Sequence, residues 1–294
     1  MDKRNWLTVL LIFGGLFVML IVFSFVVVSA FGEGGWSAGK KIGVIEVTGP
    51  ITGSKKTLED LRRFEEKDSI KGIVVRIDSP GGAVAPSQEI FEAVKEAKAT
   101  KPLAVSMGTT AASGGYYIAC GADTIFANPG TITGSIGVIT QLFNVEKLLE
   151  RVDIQVNTVK TGEFKDAGSP FNKFTPEERK YFSDLLANIY DQFVTDVAER
   201  RGLEVSKVEN LADGRVFTGK QAKEYKLVDK LGSLQDAVDF VKQDAGIDGE
   251  VDLVYPKEED IGFLSRAIEG VSETVSQEIK SEYTPLFEYR FVRP

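Results

Sequence analysis

The 294-residue chain contains no histidine. That excludes a Ser-His-Asp triad, a Cys-His pair and any metal site resting on imidazole ligands. A hydrolase built from this sequence must take its base from a carboxylate, a lysine amine or an N-terminal amine. Cysteine is almost as scarce. Cys120 stands alone, so no intrachain disulfide can form, and its setting in Tyr116-Tyr117-Ile118-Ala119-Cys120 reads as a small buried hydrophobe. An excess of positive charge is missing as well. The net charge is −8, no basic stripe is present, and nucleic acid is excluded as a partner. No pattern calls for a metal or an organic cofactor, and no segment repeats in tandem. What is there is the composition of a folded protein, with 43% hydrophobic and 27% charged residues.

One long apolar run stands out. Trp6 to Phe31 carries no charge and is dominated by Leu, Ile, Val and Phe, long enough for a membrane-spanning helix of about 20 residues. A cleaved signal peptide competes with this reading, since Val28-Ser29-Ala30 resembles a cleavage site. The apolar core of a signal peptide is shorter, about 7–15 residues, so an uncleaved anchor is expected. Lys3 and Arg4 precede the run, whereas Lys40 and Lys41 follow it at a greater distance. This bias points to a cytoplasmic N-terminus, a single pass through the cell membrane and a body outside the cytoplasm. The expected organisation is a cytoplasmic stub and anchor over 1–31, a glycine-rich linker over 32–40, a catalytic domain over 41–257 and a peripheral tail over 258–294.

The body alternates strands with helices. Strands are expected at Ile42–Val47, Ile73–Ile77, Leu103–Met107, Thr124–Ala127, Ile136–Thr140 and Ile154–Val159, the second of them rich in β-branched residues. Leu58, Leu61 and Phe64 recur at helical spacing among charges. Further helices are expected over Ser87–Lys98, from Ser113 onward, over Asn144–Leu149 and from Pro176 to about Arg200. The last has a full start signal, with Thr175 at the N-cap, Pro176 at the first helical position and Glu178 completing a capping box. Such alternation indicates an α/β fold with largely parallel strands.

Two expected strands end in glycine-rich turns, Asp78-Ser79-Pro80-Gly81-Gly82 and Ala111-Ala112-Ser113-Gly114-Gly115. In a parallel sheet such turns face one crevice, where ligands bind. Glycines leave their amides uncovered there, and two amides about 3 Å from a developing oxyanion would stabilise acyl transfer. Ser113 sits where strand gives way to helix, as in a nucleophile elbow with Ala111 replacing the first glycine; an ordinary N-cap serine fits the same letters. The loop Lys160-Thr161-Gly162-Glu163-Phe164-Lys165-Asp166 carries a lysine that gains interest because histidine is absent. A lysine amine works as a base only where apolar surroundings strip its water and disfavour the charged form. Asp78, Asp166 and Asp229 read as turn and cap residues.

Taken together and in order, these segments resemble the signal peptide peptidase A family, the protease IV type of membrane serine peptidase with a Ser/Lys dyad. The resemblance covers residues 41 to 245 and also includes Ser106-Met107-Gly108, Thr133-Gly134-Ser135-Ile136-Gly137-Val138 and Gly214-Arg215-Val216-Phe217-Thr218-Gly219. It implies an α/β fold of the crotonase and Clp-protease-like type. It further implies Ser113 as nucleophile, Lys165 as general base, the amides of Gly82 and Gly114 as oxyanion hole, and Ser135 as the residue that orients the lysine. Substrates would be hydrophobic peptides such as cleaved signal peptides, met by an enzyme held on the lipid bilayer through residues 6–31. Short members of the family form rings, so a homo-oligomer is expected, with eight subunits the favoured number and Lys165 meeting Ser113 of a neighbouring protomer. Two alternatives stand beside this reading: a catalytically inactive membrane scaffold of the same fold, and a crotonase-type acyl-CoA enzyme that would need no serine nucleophile.

Overall fold

The computed structural model describes residues 14–23, 40–256 and 288–290. The chain divides into two units, Met1–Gly39 and Lys40–Pro294. In the first, residues 14–23 form a helix, α1. The rest of the expected span Trp6–Phe31 lies outside the described residues. Among the described residues no helix is long and apolar enough to cross a membrane.

In the second unit, β1 (Lys41–Thr48), β2 (Ile70–Ser79) and β4 (Leu103–Ala112) form the parallel centre of the main sheet, with β6 (Ile132–Gly134) parallel to β4. The edges are β9 (Asp252–Val254) beside β1 and β7 (Val216–Thr218) antiparallel to β6, giving the order β7-β6-β4-β2-β1-β9. A branch leaves β4 through β5 (Ile125–Ala127) to β8 (Lys230–Leu231).

The central strands are apolar on both sides because both faces are covered. Ile73, Val75 and Ile77 lie beside Leu103, Val105 and Met107 in register and enter the larger core. That core takes in α2 (Lys55–Glu66), α3 (Val84–Ala97), α4 (Gly114–Ala119) and the inner side of α6 (Pro176–Arg201) through Leu61, Phe91, Tyr116 and Phe193. Val74 and Ala104 point the other way and pack with Ala237, Val238 and Val241 of α9 (Leu234–Asp244). The start of α6 matches its expected signal: Thr175 Oγ1 accepts from Glu178 N, and the Glu178 carboxylate accepts from Thr175 N.

Three expectations are corrected. Ile154–Val159 is not a strand. It has no regular structure and no ladder partner among the described residues, and Val159 is 99% exposed. The strand expected at Ile136–Thr140 lies earlier, at β6: the positive φ of Gly134 and Ser135 ends the ladder there, and within 136–140 only Ile139 makes a bridge. The tail is not wholly peripheral: β10 (Glu288–Arg290) pairs antiparallel with β3 (Gly81–Ala83), and Tyr289 is fully buried.

Candidate active site

Ser113 follows the last residue of β4 and caps the six-residue α4. A bulge brings it there. The pairing of β2 with β4 slips between Ile77 and Ser79, and Asp78 Oδ1 accepts from Thr110 N at 2.9 Å across the slip. Bulges re-aim the strand that carries them, here sending Ala111, Ala112 and Ser113 toward β6. Ser113 has φ 53° and ψ −116°, a conformation costly for a non-glycine residue and typical of a sharp strand-to-helix turn, and it is buried in the protomer. Ser113 N donates to Gly134 O at 2.8 Å and Ser113 O accepts from Tyr117 N at 2.8 Å, so the turn is tied at both ends.

Ser135 stands next to Ser113. Ala112 pairs with Gly134 in parallel register, and the two serines are the following residues of their strands. Ser135 also has a positive φ, 51°. Its amide donates to Arg215 O at 2.8 Å, and Gly214 N donates to Ile136 O at 3.1 Å. The loop at Gly214-Arg215 therefore clamps Ser135, a contact that the sequence pattern alone did not suggest. Asp213 holds that loop by hydrogen bonds to Arg215, which keep its carboxyl down at about 2.

The glycine pair of β3 lies across the crevice. Gly81 O accepts from Ile51 N at 2.9 Å and Ala83 N donates to Ile51 O at 2.7 Å. Backbone groups alternate along a strand, so the N–H of Gly82 faces the opposite edge. A Cβ on Gly82 would lie 2.1 Å from Ile51 O, and one on Gly114 2.6 Å from Ser87 Oγ. Only glycine lets the two turns approach this closely, with a Cβ on Gly81 falling 2.7 Å from Gly114 N. The geometry brings Ser113, Ser135, Gly82 and Gly114 together.

Lys165 lies exposed in a turn of the arm between β6 and α6, and among the described residues no hydrogen bond joins its amine to Ser113 or Ser135. Its neighbours are fixed: Phe164 stacks on Tyr181 with centroids 5.2 Å apart, while Asp166 pairs with Lys160 and accepts from Asn172 Nδ2 at 3.1 Å. The arm thus presents Lys165 outward from an anchored loop. The pairing with Lys160 holds the Asp166 carboxyl below the usual range. Asp166 is therefore structural, as are Asp78 and Asp229, which accepts from Ile125 N and Arg201 Nη2. Among the described residues no cluster of Cys, Asp and Glu could hold a metal ion.

Residues 95–248 match Peptidase family S49, and residues 41–133 match Clp protease; Ser113 falls within both segments. The chain is 47% identical over 214 residues to "Putative protease slr0021" of Synechocystis, covering 72% of this chain and 77% of that one. It is 37% identical over 237 residues to "Putative signal peptide peptidase SppA" of Enterococcus faecium, covering 78% and 69%. "Serine protease SPPA, chloroplastic" of Arabidopsis thaliana is 36% identical over 214 residues, covering 72% of this chain and 32% of that one. The fold is Clp-protease-like α/β, and the chain belongs to peptidase family S49, as a serine peptidase of the signal peptide peptidase A type.

Proposed function

We propose that the chain is a membrane-anchored endopeptidase that hydrolyses hydrophobic peptides, cleaved signal peptides among them, with Ser113 as nucleophile and Lys165 as general base. The observation that carries this reading is the strained turn at Ser113, set between Ser135 and the glycine amides. Ser113 Oγ attacks the scissile carbonyl while its proton passes to the Lys165 amine. The amides of Gly82 and Gly114 donate to the oxyanion. Collapse of the tetrahedral intermediate expels the amine, which takes the proton back from Lys165, and leaves an acyl-Ser113 ester. Water, deprotonated by the same lysine, then hydrolyses the ester.

Lys165 is exposed and Ser113 buried in one protomer, and in this reading the dyad forms between protomers of a homo-oligomeric ring, where a neighbour's arm completes each site. The arm supports this. It exposes Phe143 (80%), Ile154, Val156 and Val159, an amount of apolar surface that a second copy of the chain would cover. Head-to-tail contacts that repeat around an axis close into rings, and eight subunits is the number proposed. Burial of the arm against a neighbour would also desolvate the lysine, which its role as a base requires. The uncharged run over residues 6–31 would hold the ring at the membrane, with the body outside the cytoplasm and close to its substrates.

A serine-reactive fluorophosphonate tests the reading directly. It should label the wild-type chain and fail on Ser113→Ala. An inactive scaffold would not be labelled at all, and an acyl-CoA enzyme without a serine nucleophile would label no differently after the substitution.

A further inference from the structure

The turn that leads into β7 is tied to the backbone of the two serines. β7 runs antiparallel to β6, with Phe217 opposite Thr133 and Val216 opposite Gly134. The contact continues past the ends of both strands, where Ser135 N donates to Arg215 O at 2.8 Å and Gly214 N donates to Ile136 O at 3.1 Å. On its other side, Gly134 O accepts from Ser113 N at 2.8 Å. A shift of the Arg215 carbonyl is therefore passed to Ser135 and, through Gly134, to Ser113. Ser135 is buried and has φ 51°. Such a conformation persists in a serine only where the surroundings hold it.

The Arg215 carbonyl is itself set by Asp213. Asp213 Oδ1 accepts from Arg215 N at 3.1 Å, the bond by which an aspartate side chain closes a turn onto the backbone two residues on. Between them Gly214 has φ 86°, and a Cβ there would meet nothing within 4 Å, so glycine serves the backbone rather than the space around it. The Asp213 carboxylate also accepts from the Arg215 guanidinium, at 2.7 and 2.8 Å from Nε and again from Nη2. Those side chains are 47% and 62% exposed, and an ion pair so open to water contributes little to stability. The acceptor oxygen, rather than the charge, shapes the turn.

We propose that Asp213 is a positioning residue for peptide hydrolysis: its side-chain oxygen fixes the turn over residues 213–215, whose Arg215 carbonyl holds Ser135 in place to orient the lysine. The inference rests on the reading of Ser135 as the lysine-orienting residue. Asp213 acts at one remove, through backbone, so its loss changes the rate of the chemical step and not the binding of substrate. A misplacement of about 1 Å caused far from the chemistry can cost about 100-fold in rate. A turn that is loosened, with Arg215 still bonded to Ser135 part of the time, should cost about tenfold.

The test uses the full chain in detergent micelles and a fluorogenic hydrophobic peptide. Asp213→Ala should lower kcat about tenfold with KM unchanged, and should slow fluorophosphonate labelling of Ser113 by a similar factor. Its unfolding temperature and assembly size should match wild type. Asp213→Asn, which keeps an acceptor oxygen and favours the same turn, should restore most of the lost kcat. Gly214→Ala meets no obstruction but disfavours φ 86°, and should reproduce the loss from the backbone side. Introduced into Ser135→Gly, Asp213→Ala should lower kcat no further, because the two residues act along one line. A merely structural role would instead multiply the two losses. Wild-type kcat in Asp213→Ala, an Asp213→Asn enzyme no better than Asp213→Ala, or multiplied losses in the double variant would each overturn the proposal. If Ser135→Gly alone keeps wild-type kcat, the lysine-orienting reading falls and takes the proposal with it. A crippled Ser135→Gly beside a fully active Asp213→Ala removes the proposal alone.

Discussion

Ser113 and Ser135 leave the sheet side by side, each with a positive φ, because Ala112 and Gly134 pair in parallel register just before them. One turn is bonded to the other through Ser113 N and Gly134 O, and the second is clamped from outside by Arg215 O. The two hydroxyls are therefore placed by backbone, not by mobile side chains.

Ser113→Ala and Lys165→Ala should each abolish nearly all peptidase activity without loss of fold. The double variant should be no worse than the worse single one, because residues acting as a unit are not additive. When the two single variants are mixed and allowed to exchange subunits, activity should return, since some junctions pair an intact serine with an intact lysine. Turnover of a fluorogenic peptide measures it. A mixture that stays dead after proven exchange would place the dyad within one chain.

Ser135→Gly separates chemistry from stability. Glycine accepts the positive φ without strain, which gains about 1 kcal/mol, while its freedom in the unfolded chain costs a similar amount. Thermal unfolding should therefore move little. If the Ser135 hydroxyl orients the amine of a neighbour's Lys165, its loss should lower kcat about 10- to 100-fold with KM unchanged. If Ser135 only shapes the turn, kcat will follow wild type.

Gly82→Ala should damage both. Its Cβ would meet Ile51 O at 2.1 Å, and backbone on both sides leaves no side chain to yield. Separating β3 from Ile51 should cost about 1–3 kcal/mol. Displacing one oxyanion donor should cut kcat by about 10²–10³. Denaturant melts and steady-state kinetics on the same preparation read the two effects apart.

Burial pushes the Cys120 thiol up to about 11. The native chain should resist alkylation by iodoacetamide at pH 8 and react fully once unfolded, as mass spectrometry would report. The linkage has a definite sign. The folded state favours the protonated thiol, so this contribution to stability is complete below the ordinary thiol range and is lost as pH rises from about 9 to about 11. Cys120→Ala should flatten the alkaline loss of stability across that interval.

Much of the fold was legible from local chemistry. Ile73-Val74-Val75 and Leu103-Ala104-Val105 announce strands buried on both faces, and Thr175, Pro176 and Glu178 announce the start of α6, because these signals act within a few residues. The missing histidine and the two glycine turns pointed to Ser113 before any geometry was known. Tertiary structure alone decided the rest. Ile154–Val159 has the composition of a strand, yet pairing needs a partner that the described residues do not provide. Tyr289 lies far along the chain in a segment too short for periodicity to register, and only the free edge of β3 and an aromatic pocket give it a place. Lys165 carries the same lesson. Residue type made it a candidate base, but whether an amine meets a hydroxyl depends on where its loop is anchored, and here Phe164 and Asp166 fix that loop so that the lysine faces outward.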